Sequence, residues 1–198
     1  LIMPLAYTIP KVFIGLGNPG DQYNKTRHNL GYEYLYHLSK RYPFTEFKNE
    51  SKVLGSISKS ISLEQEVILF RPSKYINESG ESIRKLLNYF KIDLSEVCII
   101  HDDLDLEPGV MKIKYDGGHG GHNGLRSIFK SCQGSAFLRI RIGIGHPNHH
   151  NVINYVLSKP KAEEERKIHS ALDSAIDATD FLLKNGVEKA MSVFNQKV

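Results

Sequence analysis

Cysteine is scarce: Cys98 and Cys132 are the only two in 198 residues, far apart and in no metal-like or redox-like spacing. Cys98 sits in the apolar run Val97-Cys98-Ile99-Ile100 and reads as a buried thiol. This usage suits a reducing compartment, and a cytoplasmic location is expected. No apolar run nears the ~20 residues of a membrane span, so no membrane partner is expected. A basic segment followed by an apolar core does not open the chain, so no secretory leader is expected either. A G-x-S-x-G elbow, a well-placed cysteine and an H-E-x-x-H helix are all missing, which leaves water as the nucleophile if the chain hydrolyses anything. Repeats, low-complexity tracts and dividing linkers are absent too. Residues 1–198 are read as one domain, residues 1–10 as its N-terminal extension, and a monomer is expected.

What is present is ordinary in amount and uneven in place. Net charge is +4, from 26 Lys plus Arg against 22 Asp plus Glu. Between residues 112 and 141, however, six basic residues (Lys112, Lys114, Arg126, Lys130, Arg139, Arg141) face a single acid, Asp116. A basic middle points to a polyanionic partner. On charge alone, a solvated charged face explains it equally simply.

Periodicity predicts strands over residues 11–15, 53–61, 66–70, 96–101, 111–115 and 137–145. It predicts helices over 29–41, 77–90 and 159–183, with a short helix ending near residue 130 after a glycine-rich loop. Ile83, Leu86, Leu87 and Phe90 carry the i, i+3, i+4, i+7 spacing of an amphipathic helix. Strands alternating with helices imply an α/β fold: a mostly parallel or mixed sheet with helices on both faces.

Gly15-Leu16-Gly17-Asn18-Pro19-Gly20 matches G-x-G-x-x-G letter for letter. A dinucleotide site also needs a helix directly after the glycines and a strand ending in an acid about 20 residues on. Instead a polar segment follows, and residues 42–47 are broken by Pro43 and short of aliphatics. The glycines are therefore read as a tight turn at the carboxyl end of a strand, where open α/β sheets place their sites. That turn presents Asn18, Tyr23 and His28.

His28 alone would pass for a structural histidine near a helix start. Asp102, at the end of another apolar strand, changes its prospects. A carboxylate there can hold one imidazole nitrogen and leave the other as a base near neutral pH. His119, His122 and the acids at 102, 103 and 105 raise metal-assisted hydrolysis as a second reading, as does the cluster His146, His149 and His150. Neither group has the spacing of a divalent site, and no metal or cofactor is expected. Asn18 lies in the first strand-end loop, Asn77 just before the helix carrying Ile83, and Asn123 just before the short helix carrying Leu125. They fit N-caps, and equally fit amide partners of a peptide group or an oxyanion. Tyr75 fits an apolar wall or the core.

Four stretches together resemble bacterial peptidyl-tRNA hydrolase: FIGLGNPGDQYNKTRHNLG (13–31), RPSKYINESG (71–80), HDDLDLEPGVMKIKYDGGHGGHNGL (101–125) and LRIRIGIGHP (138–147). The likeness runs from about residue 11 to the C-terminus. It implies a single α/β domain with a mixed twisted sheet flanked by helices. It implies cleavage of the ester between a peptide and the 3′ end of tRNA, releasing peptide and recycling tRNA. On this resemblance His28 is the base, Asp102 stabilises its basic form, and Asn18 distinguishes a blocked aminoacyl group from a free one. Tyr23, Tyr75, Asn77, His122 and Asn123 fall on substrate-binding positions, and Lys114 and Arg141 on the pair that grips the tRNA 5′ phosphate. Departures are Tyr75-Ile76 for Phe-Met, Lys74 for threonine and Asp103 for glutamate. The alternatives are a non-catalytic RNA-binding relative of the splicing-factor kind, a nicotinamide oxidoreductase and a metallohydrolase.

Overall fold

The computed structural model describes residues 7–61, 64–147 and 151–196. Seven strands form one sheet: β1 (Val12–Gly15), β2 (Lys48–Glu50), β3 (Gly55–Lys59), β4 (Ile68–Pro72), β5 (Val97–Asp103), β6 (Met111–Tyr115) and β7 (Leu138–Gly143). Their order is β2-β3-β4-β1-β5-β7-β6. The centre, β4-β1-β5-β7, is parallel, and antiparallel partners flank it on both sides. The mixed sheet is thus as expected.

Alternation along the central strands divides the core. Phe13, Leu69, Cys98 and Ile100 pack on one face, against α1 (Leu30–Arg41), α5 (Ala162–Asn185) and α6 (Val187–Phe194). Val12, Ile14, Phe70 and Ile99 pack on the other, against α2 (Ser79–Phe90) and α3 (Asn123–Cys132). This is the period-2 pattern of strands buried on both faces. A five-residue helix, α4 (Val152–Val156), follows β7. No helix among the described residues is long and apolar enough to cross a membrane.

Several expected boundaries move. The strand expected over 53–61 shortens to β3, because a 3-10 turn takes Ser51–Val53. The polar segment after Gly20 contains two 3-10 turns, Asp21–Tyr23 and Arg27–Asn29. β2, α4 and α6 were not anticipated. Residues 1–6 of the expected N-terminal extension, with His149 and His150, lie outside the described residues.

The glycine motif serves backbone approach. A Cβ on Gly15 would lie 2.1 Å from the Gly31 carbonyl oxygen, and one on Gly31 would lie 2.2 Å from the Leu16 nitrogen. The first turn of α1 therefore rests directly on the end of β1, which carries the preceding residues Arg27–Asn29 to the carboxyl ends of the strands. Gly20 turns the chain at φ 108°, a conformation side chains resist.

Gly31→Ala tests this contact. Helix propensity favours alanine by roughly 1 kcal/mol. The clash is with backbone on both sides, which cannot rotate away, so overpacking at about 1–3 kcal/mol prevails. Urea unfolding should show a net loss of stability; a gain would refute the close approach.

Candidate active site

The carboxyl ends of β4, β1 and β5 converge. Tyr75 and Asn77 follow β4, Asn18 follows β1, and Asp102 lies at the end of β5. The 3-10 turn Arg27–Asn29 brings His28 in from the α1 side. The glycine loop after β6 brings His122 and Asn123 in from the α3 side.

Asp102 joins the two sides. It is 3% exposed. His28 Nδ1 lies 2.9 Å from both its carboxylate oxygens, and His122 Nε2 lies 3.0 Å from Oδ1. The tautomers follow from the partners. His122 Nδ1 accepts from the Gly124 and Leu125 N–H groups at 3.1 and 3.3 Å, so its Nε2 carries the proton and donates to Asp102. His28 donates from Nδ1, which leaves the Nε2 lone pair as a base. Burial works against a charged Asp102, but the two imidazoles, by charge and hydrogen bonding, pull its carboxyl well below the usual range. Burial likewise opposes protonation of His28, yet Asp102 outweighs it and raises the imidazole pKa above 6.5.

Asn18 is held as firmly. Its N–H donates to Asn29 Oδ1 (2.8 Å), and Asn29 Nδ2 donates to its carbonyl (2.9 Å). The Ile76 N–H donates to Asn18 Oδ1 at 2.8 Å, which fixes the amide orientation and leaves Nδ2 as the donor end. Asn123 Oδ1 accepts from Arg126 Nη1 at 3.1 Å, with the same result.

None of the three asparagines caps a helix through its side chain. His122 takes that role for α3, and Asn123 becomes its first residue. His122, expected among the substrate-binding residues, has both ring nitrogens committed inside the protein. Asn77 is exposed and lines a groove of about 320 Å³ with Asn18, Tyr23, Tyr75 and Ile153. On the other side of His28 a cavity of about 260 Å³ is lined by Lys114, Arg139, Arg141 and His119. His28, Asn123, Ile153 and Val156 border both spaces.

The basic residues divide by task. Arg141 Nε donates to Asp103 Oδ2 at 2.7 Å. Arg139 is buried and donates to the Gly117 and Gly118 carbonyls, both at 2.6 Å, which holds the glycine loop. Lys112 donates to the Asn195 carbonyl. Sequence reasoning missed these anchors, together with Asn29 and His101. The His101 Nδ1 donates to the Asp102 carbonyl at 2.7 Å, and burial, with the neighbouring His122, pushes its pKa down to about 3, so it stays neutral.

Could this cluster hold a metal ion? Donor atoms of His28, Asp102 and His122 all lie within 4.8 Å of one another. A metal on His122 Nε2 would force the proton onto Nδ1, against two backbone N–H donors. Without His122 two ligands remain, fewer than the three of catalytic zinc sites. His119 accepts from the Gly121 N–H, and His146 pairs with Asp105 at the surface (2.9 Å).

The sequence profile of the family "Peptidyl-tRNA hydrolase" matches residues 12–198. The peptidyl-tRNA hydrolase of Mannheimia succiniciproducens is 43% identical over 187 residues, 93% of this chain and 96% of its own. That of Citrifermentans bemidjiense is 41% identical, covering 94% and 98%. The crystal structure of peptidyl-tRNA hydrolase from Acinetobacter baumannii superposes with a TM-score of 0.89 at 37% identity, over 98% of this chain and 97% of that one.

Replacing Asp102 by Asn should lower the His28 titration, because burial then acts without the opposing charge. NMR of the imidazole resonances reads the shift directly. A titration that stays above 6.5 in the variant would refute the assigned source of the raised pKa.

Proposed function

The chain belongs to the peptidyl-tRNA hydrolase family and is a hydrolase acting on the ester of peptidyl-tRNA, and from that premise we propose that His28 is its general base and that no metal takes part. The observation that carries this reading is the buried, ionised Asp102 holding His28 Nδ1, with His28 bordering both the groove and the cavity.

In this mechanism neutral His28 takes a proton from water through Nε2 as the water oxygen attacks the ester carbonyl carbon. The tetrahedral intermediate collapses, the C–O bond to the ribose breaks, and protonated His28 returns its proton to the departing oxygen. Asp102 steadies the imidazolium without itself accepting the proton. The low pKa of its carboxyl supports that division of labour. The Nδ2 groups of Asn18 and Asn123 are donors placed for carbonyl oxygens of the peptidyl group, one of which becomes the oxyanion.

Selectivity has a physical source in the same donors. A free aminoacyl group brings an α-ammonium, which only donates and is costly to desolvate facing Asn18 Nδ2. An N-acylated group brings a neutral carbonyl that accepts, so the wrong substrate is penalised. Tyr23, Tyr75 and Asn77 line the groove that takes this end. Lys114 and Arg141, on the cavity side, take the 5′ phosphate. His122 acts by positioning Asp102 and the start of α3.

Cross-strand register supports a phosphate-binding role. Lys114 pairs with Arg139 and Lys112 with Arg141. Like charges directly opposite are destabilising, and a polyanion relieves them.

Hydrolysis of N-acetylaminoacyl-tRNA with EDTA present throughout tests the core of the proposal. Wild-type activity should persist, and His28→Ala should lose on the order of 10²–10⁴-fold or more in kcat. The base must be neutral, so kcat/KM should rise with pH through a value above 6.5. Dependence on an added divalent ion would refute the metal-free mechanism, and tRNA binding without cleavage would refute the catalytic assignment. Separately, Lys114→Ala should raise KM and reduce the salt dependence of binding by about one phosphate contact. An unchanged salt slope would remove Lys114 from the tRNA interface.

A further inference from the structure

Beside the catalytic histidine lies a buried ion pair that the chemistry above does not use. Arg27 is 5% exposed. Its Nε and Nη2 donate to the two carboxylate oxygens of Glu164, at 2.7 and 2.6 Å. Its Nη1 donates to the carbonyls of Tyr155, Ser158 and Lys159 at 3.1–3.3 Å and to Ser158 Oγ at 2.7 Å. The guanidinium carbon stands 3.9 Å from the centre of the Tyr155 ring. The Arg27 backbone N–H adds a bond to the Ser158 carbonyl at 3.1 Å. One residue therefore gathers the carbonyls at the end of α4, the start of α5 through Glu164, and the turn that carries His28.

α4 needs such an anchor. Five residues are far too few for a helix to stand unaided. Its Tyr155 carbonyl accepts from the Ser158 N–H (3.1 Å) and Ser158 Oγ (2.7 Å), and Arg27 adds a cation there that complements the helix dipole. Within the body of the protein, Val156 is buried and the Tyr155 hydroxyl donates to the Ile144 carbonyl at 2.6 Å. The same helix also forms a wall of the site. Ile153, 60% exposed, and Val156 border both the groove and the cavity, and Leu157 borders the groove.

We propose that Arg27 and Glu164 are positioning residues: they latch the α4 wall to the histidine turn, and so set how tightly substrate is held against the base. Arg27 suits the task because only its planar fork can meet a carboxylate bidentately while its remaining donors reach carbonyls. The latch acts on binding more than on chemistry. His28 keeps its own restraint from Asp102 on the opposite side, whereas α4 carries no charge of its own and meets the pair through Tyr155, whose carbonyl and ring contact Arg27 and whose hydroxyl lies 3.3 Å from Glu164 Oε1.

This inference rests on the groove beside His28 being a substrate site, and the experiment separates the two. Steady-state kinetics on a peptidyl-tRNA are measured for wild type, Glu164→Gln, Ile153→Ala and the double variant. Glu164→Gln should raise KM about five-fold or more with kcat within about two-fold of wild type. Ile153→Ala should raise KM by shortening the wall itself. If Glu164 acts through α4, the double variant's KM should match the larger single effect rather than the product of the two. A kcat loss at unchanged KM, or a KM in the double variant equal to the product, overturns the latch. No effect of Ile153→Ala overturns the groove as a substrate site instead. A thermal melt confirms folding of each variant at the assay temperature. Should Glu164→Gln fail there, Arg27→Lys, which keeps the charge and loses the fork, carries the same comparison with the same outcomes.

Discussion

The Asp102 carboxylate is the interaction on which the rest of the site depends. An unpaired charge at that depth would cost several kcal/mol or more, so its partners must be in place for the fold to be stable. Two imidazole N–H groups supply them, one from each side of the sheet. A single anion thereby fixes the tautomer of His28 and the tautomer of His122, and through the His122 cap it fixes where α3 begins. Asn123 is presented as a consequence. His101, one residue earlier, stays neutral, since burial and the adjacent His122 both oppose a further cation. The anion is thus shared between two imidazoles and no more.

A second constraint is backbone proximity. His28 reaches the end of β5 only because α1 rests on the end of β1 at Gly15 and Gly31. The same turn holds Asn29, whose side chain makes two bonds to Asn18 in place of capping α1. Asn18 in turn reaches the segment after β4 through Ile76. Three strand ends are therefore bound to each other by side chains whose first duty is structural, and the donor Asn18 Nδ2 is what remains for a ligand.

Legibility in the sequence tracked length and range. The central strands and the helices α1, α2 and α5 have clear periods and lie close to where those periods place them. α6 has the helical spacing Val187, Ala190, Met191 and Phe194 and was readable on the same grounds. β2 and α4 were not: at three and five residues they carry no period, and α4 depends on Arg27, 128 residues from Tyr155 in the chain. At the site, Asp102 stood out because it falls at a strand end, and His28 because the polar segment after the glycine turn leads to it. The shared carboxylate did not, since His122 lies 20 residues from Asp102 and reaches it through a glycine loop with no regular period. The capping preference of asparagine left two readings of Asn123 open, and the structure gives the cap to His122, whose fixed tautomer offers the same acceptor to an N-terminal N–H.

The basic stretch 112–141 shows how a compositional hint becomes a physical one. As a count of charges it fits a solvated face. In the sheet it becomes four cations on two adjacent strands in register, Lys112 with Arg141 and Lys114 with Arg139, where repulsion acts at short range. The fold answers three of them itself, with the Asn195 carbonyl for Lys112, the glycine-loop carbonyls for Arg139 and the Asp103 carboxylate for Arg141. Asp103 holds Arg141 by a single nitrogen. Lys114 and Arg141 border the same cavity as His28. Under the proposed function, an anionic backbone would complete the electrostatics of this cluster beside His28.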